Sequence, residues 1–193
     1  MTYFLDFDRT IFDFDTFFAD LISKPELSSI RDRALEIIKI PRGVDLAHDE
    51  KRNKMWEEVH VLYTTGVFTF KPGALSQFVF PDARAFLEKN GEHTVVVTKG
   101  GLDIAFQKGK LDSSGVSHIA HHCEYVMRDI PKGEAVKALL GKYPGPYVFV
   151  DDFSKELDSV ATECPEVALY EIRRDGKQGS GSYPIIRSLD EIS

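Results

Sequence analysis

At 193 residues, with 42% hydrophobic and 28% charged side chains, the chain is long enough for one sizeable core, or for one domain carrying a smaller insertion, and has the composition of a soluble globular protein. A formal net charge of -7 with no Lys/Arg-rich run argues against nucleic acid as a partner, because no counterion-releasing stripe is present. Two cysteines are too few for a disulfide framework, nothing approaches the ~18 consecutive apolar residues of a membrane span, and no basic-then-apolar leader opens the chain, so a cytoplasmic protein with reduced thiols is expected.

The first element is the stretch Tyr3 to Asp13, YFLDFDRTIFD. Tyr3, Phe4 and Leu5 read as the buried end of a strand that delivers two carboxylates, Asp6 and Asp8. Side chains alternate along a strand, so the two acids share a face as far as the extended geometry lasts. Like charges that close are costly without a cation, a proton or a set of donors, and folding alone would not select them.

The period then becomes helical. A short helix is expected over Thr16–Ser23, capped by Asp15 or Thr16, and another from Pro25 to Lys39, with Ile30, Ala34, Ile37 and Ile38 at helical spacing and Pro41 and Gly43 as stops. A third helix is expected from His48 to Thr64, placing Met55, Val59, Leu62 and Tyr63 on one side, and a short fourth over Lys71–Phe78. Together they form a helical insertion over residues 15–78.

From Pro81 helices and strands alternate: a helix to Asn90 ended by Gly91, a β-branched strand His93–Thr98, a weaker helix Leu102–Leu111, and a strand within His118–Met127. A helix opened by Asp129 and Pro131 runs to Leu140, followed by the apolar run Tyr147–Val150 meeting Asp151 and Asp152, and by a last strand Val167–Ile172. Alternation with unbroken apolar strands implies an α/β fold: a three-layer Rossmann-like parallel sheet built from residues 1–14 and 79–193, interrupted by the helical insertion.

In such a sheet ligands bind beyond the carboxyl ends of the strands. Asp6, Thr98 and Asp151–Asp152 follow strands, and Lys132 opens a helix after another. Several carboxylates with one lysine and one threonine make a hard-oxygen site suited to Mg2+, an ion that is usually shared with a substrate phosphate. Metal-assisted phosphoryl transfer is the chemistry that follows, with the cation and Lys132 neutralising charge on the transferring group.

These residues carry a family resemblance. DFDRT at Asp6–Thr10, followed by Ile11, Phe12 and Asp13, resembles the first motif of the haloacid dehalogenase (HAD) superfamily. TKG at Thr98–Gly100 resembles the second, Lys132 in IPKGEA the third, and VDD at Val150–Asp152 the acidic fourth, in the family's order and across nearly the whole chain. The resemblance implies an HAD-like core with a helical cap, and a Mg2+-dependent phosphatase acting on a small phosphorylated metabolite. Asp6 would be the nucleophile that becomes an aspartyl-phosphate and Asp8 the general acid and base. Thr98, with the amides of Lys99 and Gly100, would hold phosphate oxygens, and Lys132 would steady the nucleophile and the phosphoryl charge. The metal would be held by Asp6, the backbone carbonyl of Asp8, Asp151 and Asp152, the last often acting through a water. Thr10 would order the loop after the strand. Dehalogenases of this family lack a carboxylate two residues after the nucleophile and P-type pumps carry DKTGT there, so Asp8 favours phosphate-ester hydrolysis over both. A phosphomutase keeps the same pair and stays an alternative, as does a non-catalytic protein that binds a phosphometabolite.

Four further patterns are set aside. Asp13–Thr16 imitates the first motif but follows Arg9 and Thr10 rather than an apolar strand, which suits a turn and cap. His118, His121, His122 and Cys123 lack CxxC or HExxH company, and adjacent histidines on a strand point to opposite faces, so structural or surface roles are expected. Gly176–Ser182, GKQGSGS, lacks the GK(S/T) ending of a phosphate-binding loop and is expected to be a surface loop. Arg31, Arg33, Arg42, Lys51 and Arg52 are expected on a solvated helix face.

Overall fold

The computed structural model describes residues 1–38, 46–100 and 104–192. In chain order the elements are β1 (Thr2–Leu5), α1 (Phe14–Ser23), α2 (Ser28–Ile38), α3 (Leu46–Thr64), α4 (Pro81–Asn90), β2 (Thr94–Lys99) and α5 (Ile104–Ser114). They continue with α6 (Val116–Ile119), β3 (His122–Val126), α7 (Lys132–Leu139), β4 (Tyr147–Asp151), α8 (Ser154–Glu163), β5 (Ala168–Ile172) and β6 (Ile185–Ile186). The chain divides into two compact units, Met1–Phe14 with Lys71–Ser193, and Asp15–Phe70. No helix among the described residues is long and apolar enough to cross a membrane.

The larger unit is built on a six-stranded sheet of order β3-β2-β1-β4-β5-β6, every pair parallel. Such a sheet is covered by helices, which is why its strands read as apolar runs rather than alternations. β1 is central, with Leu5 opposite Val96 of β2 and Val150 of β4, and all four of its residues are buried. Phe4, Val95, Val97 and Phe149 pack with Val136 and Leu139 of α7 and Leu157 and Val160 of α8. Tyr3, on the opposite face by strand alternation, meets Phe86 of α4 edge-on at 4.9 Å between ring centres. The strand order reverses at β1, so the carboxyl ends of β2, β1 and β4 lie side by side around the position where a Rossmann-like sheet binds its ligand.

The smaller unit is helical and has its own aromatic cluster. Phe18 packs on Trp56, while Phe17, Tyr63 and Phe68 surround Phe70. Arg31 donates from Nε to the Ile22 carbonyl and from Nη2 to that of Ser23, closing the C-terminus of α1. Arg52, expected on a solvated face, is buried, with Nη2 donating to the Ile37 carbonyl at 3.1 Å. Pro41, Arg42, Gly43 and the expected helix start at Leu102 lie outside the described residues.

Several boundaries differ from the periodicity reading. Lys71–Phe78 forms turns and a single 3-10 turn, Ser76–Phe78, rather than a fourth α-helix, and it belongs to the larger unit. Pro25–Leu27 is likewise 3-10, and the α-helix starts at Ser28. Gly91 does follow the last residue of α4 as expected, with a φ of -57°, and glycine is required there because a Cβ would strike the Ile119 carbonyl oxygen. α8 has no counterpart in that reading, because Leu157 and Val160 alone are a thin apolar stripe. β6 adds a sixth strand after the expected last one; two residues are too short to signal by pattern.

Candidate active site

β1 ends at Leu5, yet the Asp6 amide still donates to the Val150 carbonyl at 2.9 Å, which pins Asp6 to the end of β4. Extended geometry does not persist to Asp8. The amides of Ile11 and Phe12 both donate to the Phe7 carbonyl at 2.9 Å, and Arg9 takes a φ of 64°, the left-handed conformation that only a tight turn imposes on such a residue. Phe7 and Phe12 stack at 4.8 Å beneath this turn, both fully buried, so apolar packing holds the loop that carries Asp8. Thr10 is buried within it; its carbonyl accepts from Arg174 Nε at 3.1 Å and Nη2 at 2.7 Å.

Lys132 joins the strand ends. Its Nζ donates to Asp6 Oδ1 and, at 2.7 Å, to Asp151 Oδ2, with all three side chains buried. Burial pushes the Asp6 carboxyl well above the ordinary carboxylate range; Lys132 pulls the other way, and Asp151 and Asp8 add repulsion. Asp151 is raised for the same first cause, with Lys132 again opposing and Asp152 repelling. Lys132 itself is held protonated above its usual value, since Asp151 and Asp6 outweigh the burial that would lower it. Its backbone amide, the first orphan donor of α7, is satisfied by Glu156 Oε2 at 2.9 Å. Asp151 Oδ1 accepts from the Phe153 amide at 2.9 Å, fixing its rotamer.

Asp6, Asp151 and Asp152 each offer a carboxylate oxygen within 4.8 Å of the others, the group of potential ligands that converges among the described residues. Among those residues no donor reaches Asp6 Oδ2. Hard oxygens around a space of that size fit a small divalent cation such as Mg2+, and the surplus negative charge beyond Lys132 calls for one. Asp8 does not join this group with its side chain. Its carboxylate accepts from Lys110 Nζ at 2.6 and 2.9 Å and from Gln107 Nε2 at 3.1 Å.

Thr98, at the end of β2, is buried and accepts from Gln107 Nε2 at 2.6 Å, leaving the hydroxyl proton to donate. One amide of the expected phosphate cradle, that of Gly100, is engaged elsewhere. The Gly100 amide donates to the Val126 carbonyl at 2.9 Å because β2 is still laddered to β3 there. The Lys99 ammonium binds Glu156 Oε1 at 2.8 Å and the Arg128 carbonyl at 3.0 Å.

Three site residues escape the motif reading: Gln107 and Lys110 of α5 and Glu156 of α8. A signal for the first two exists, since Phe106, Gln107, Lys110, Leu111 and Ser114 form one buried helical stripe in which polar residues occupy core positions. The patterns set aside remain outside the site. His122 pairs with Glu124 at 3.1 Å, His121 sits edge-on to Tyr143, and burial pushes the Cys123 thiol up to about 11. The Gly176–Ser182 loop is organised on the Glu171 carboxylate, which accepts from the Ser180 amide and hydroxyl, a partner of the wrong sign for a phosphate cradle.

No family model matches the chain, and no curated protein matches it in sequence. Solved structures do match in fold. A protein described as a haloacid dehalogenase-like hydrolase of Burkholderia xenovorans LB400 is 20% identical with a TM-score of 0.66, over 99% of this chain and 94% of its own. One described as a beta-phosphoglucomutase of Thermotoga maritima is 12% identical with a TM-score of 0.62, over 97% and 94%. The HAD-hydrolase YfnB of Bacillus subtilis, solved bound to magnesium, is 16% identical with a TM-score of 0.54, over 99% and 96%. The chain therefore has the HAD-like fold.

Proposed function

We propose that this protein is a Mg2+-dependent phosphatase of small phosphomonoesters that works through an aspartyl-phosphate. The observation that carries the reading is the bridge from Lys132 to Asp6 and Asp151 across two adjacent strand ends, with Asp152 beside it and Asp8 two residues beyond Asp6. That arrangement is costly to the fold and suited to an anionic group transferred between oxygens. Asp6, Asp151 and Asp152, with the Asp8 carbonyl, would hold the cation, which when bound would neutralise charge on the phosphoryl group and help align it.

In the first step a carboxylate oxygen of Asp6 attacks phosphorus, the ester P–O bond breaks, and Asp8 gives its proton to the departing alkoxide. In the second a water attacks the aspartyl-phosphate while Asp8 takes its proton, which releases phosphate and restores Asp6. Lys132 keeps Asp6 oriented and neutralises the equatorial oxygens, and the Thr98 hydroxyl donates to one of them. The helical unit Asp15–Phe70 is, in this reading, the cap that selects the substrate.

The test is turnover of p-nitrophenyl phosphate with Mg2+. Activity should vanish with EDTA and in Asp6→Asn; undiminished turnover in Asp6→Asn overturns the reading. The likeness to a protein described as a beta-phosphoglucomutase supports a second reading, transfer between two hydroxyls of a sugar phosphate. Product analysis separates the two, since a mutase isomerises its substrate while releasing little inorganic phosphate.

A further inference from the structure

Lys110 is an unusual residue to find inside α5. It is 1% exposed, and its ammonium lies 4.9 to 5.7 Å from the ring centres of Phe7, Phe12, Phe14 and Phe106. Burial draws its pKa below the ordinary lysine value, with Asp8 opposing. An apolar residue would fill this aromatic pocket without the desolvation penalty of a charge, and a buried ion pair is weak evidence for stability. The ammonium has a narrower task. It contacts both oxygens of Asp8, at 2.6 and 2.9 Å, from the core side, while the Asp8 side chain keeps 28% of its surface open. One turn earlier on the same helix, Gln107 spans Asp8 Oδ2 and Thr98 Oγ1.

We propose that Lys110 and Gln107 are positioning residues: a two-residue brace on α5 that fixes the Asp8 carboxylate and ties it to Thr98. The inference rests on the phosphatase reading above, because it supposes that Asp8 moves the proton. The brace acts through geometry. Three donors on two oxygens leave Asp8 one rotamer, and the shared Gln107 amide keeps the proton-transfer group and the Thr98 hydroxyl at a constant separation. The cation–π setting explains how the ammonium stays seated away from solvent. In this network the Gln107 amide nitrogen is the donor to both Asp8 Oδ2 and Thr98 Oγ1.

The experiment is a double-mutant cycle on the full chain with p-nitrophenyl phosphate and Mg2+. Lys110→Met, matched in length and compatible with the aromatic pocket, should lower kcat roughly 100-fold with KM changed less than about 3-fold, the loss expected of a displaced catalytic group. In an Asp8→Asn background the same substitution should change kcat less than about 3-fold, since nothing remains to position. Gln107→Leu should show the same dependence on Asp8, and Lys110→Arg should recover part of the rate. Equal losses with and without Asp8, or a wild-type kcat in Lys110→Met, overturn the proposal while leaving the phosphatase reading intact. Undiminished activity in Asp6→Asn removes both. Should Lys110→Met fold poorly, a crystal structure of the wild-type protein decides: Asp8 in one rotamer on Lys110 supports the brace, and Asp8 turned away from it overturns it.

Discussion

Arg174 ties the loop that carries Asp8 to the far end of the chain. Beyond its two bonds to the Thr10 carbonyl, its Nη1 donates to both oxygens of Asp82 at 2.7 and 2.8 Å, and Asp82 also accepts from the Leu189 amide at 2.8 Å. Partial burial would raise the Asp82 pKa, but the Leu189 amide and Arg174 overcome it and hold the carboxyl below its usual value. A carboxyl depressed in the folded state adds stability above its unfolded pKa, near 4, which is lost as pH falls through the folded value. Asp82→Ala should therefore lower unfolding stability by about 1–3 kcal/mol at pH 7, with the difference from wild type shrinking in strong acid. Urea midpoints at pH 7 and pH 3 measure both. Neither partner stands out in the sequence, since they lie 92 residues apart and each belongs to an ordinary helical or loop context.

At the scale of elements, α7 and α8 pack so closely that Gly133 has no room for a side chain: a Cβ would strike the Ser159 carbonyl oxygen. The Gly133 amide donates to Ser159 Oγ at 3.0 Å, and Lys132 is the residue before it. Gly133→Ala should cost about 1–3 kcal/mol as the helices part, and because Lys132 moves with them it should reduce turnover more than stability alone explains. Thermal melts beside kcat measurements show whether the two losses separate. The central strands and α4 are legible in the sequence because β-branched runs and a proline start leave little choice. The Lys71–Phe78 segment and α8 are not, because a few apolar residues at mixed spacing fit a turn, a 3-10 helix or a short α-helix equally well. Glu156 shows the limit well: it is an exposed charge by composition, yet it is buried because it satisfies both the Lys132 amide and the Lys99 ammonium.

For the whole molecule, two carboxyls raised by burial make stability depend on pH in the opposite sense to Asp82. Asp6 and Asp151 bind protons more tightly folded than unfolded, so without metal their contribution is present at low pH and falls as pH rises above about 4 toward neutrality. In the function proposed above a divalent cation would supply the missing charge, so the Tm gain from Mg2+ should grow between pH 5 and pH 7.5 and disappear in Asp151→Asn. At 100-fold saturation the gain is about 2.7 kcal/mol; a shift that ignores pH, or survives that substitution, counts against the site. The sequence by itself determined the parallel α/β sheet, the helical insertion, the acids that follow strands and the lysine that opens a helix, because each is written locally as a period, a run or a spacing. Only the tertiary structure decided that Lys132 joins Asp6 to Asp151, that Asp8 rests on Lys110 and Gln107, and that the Gly100 amide belongs to Val126. Those pairings span up to 126 residues and depend on which strands lie side by side, which no local pattern encodes.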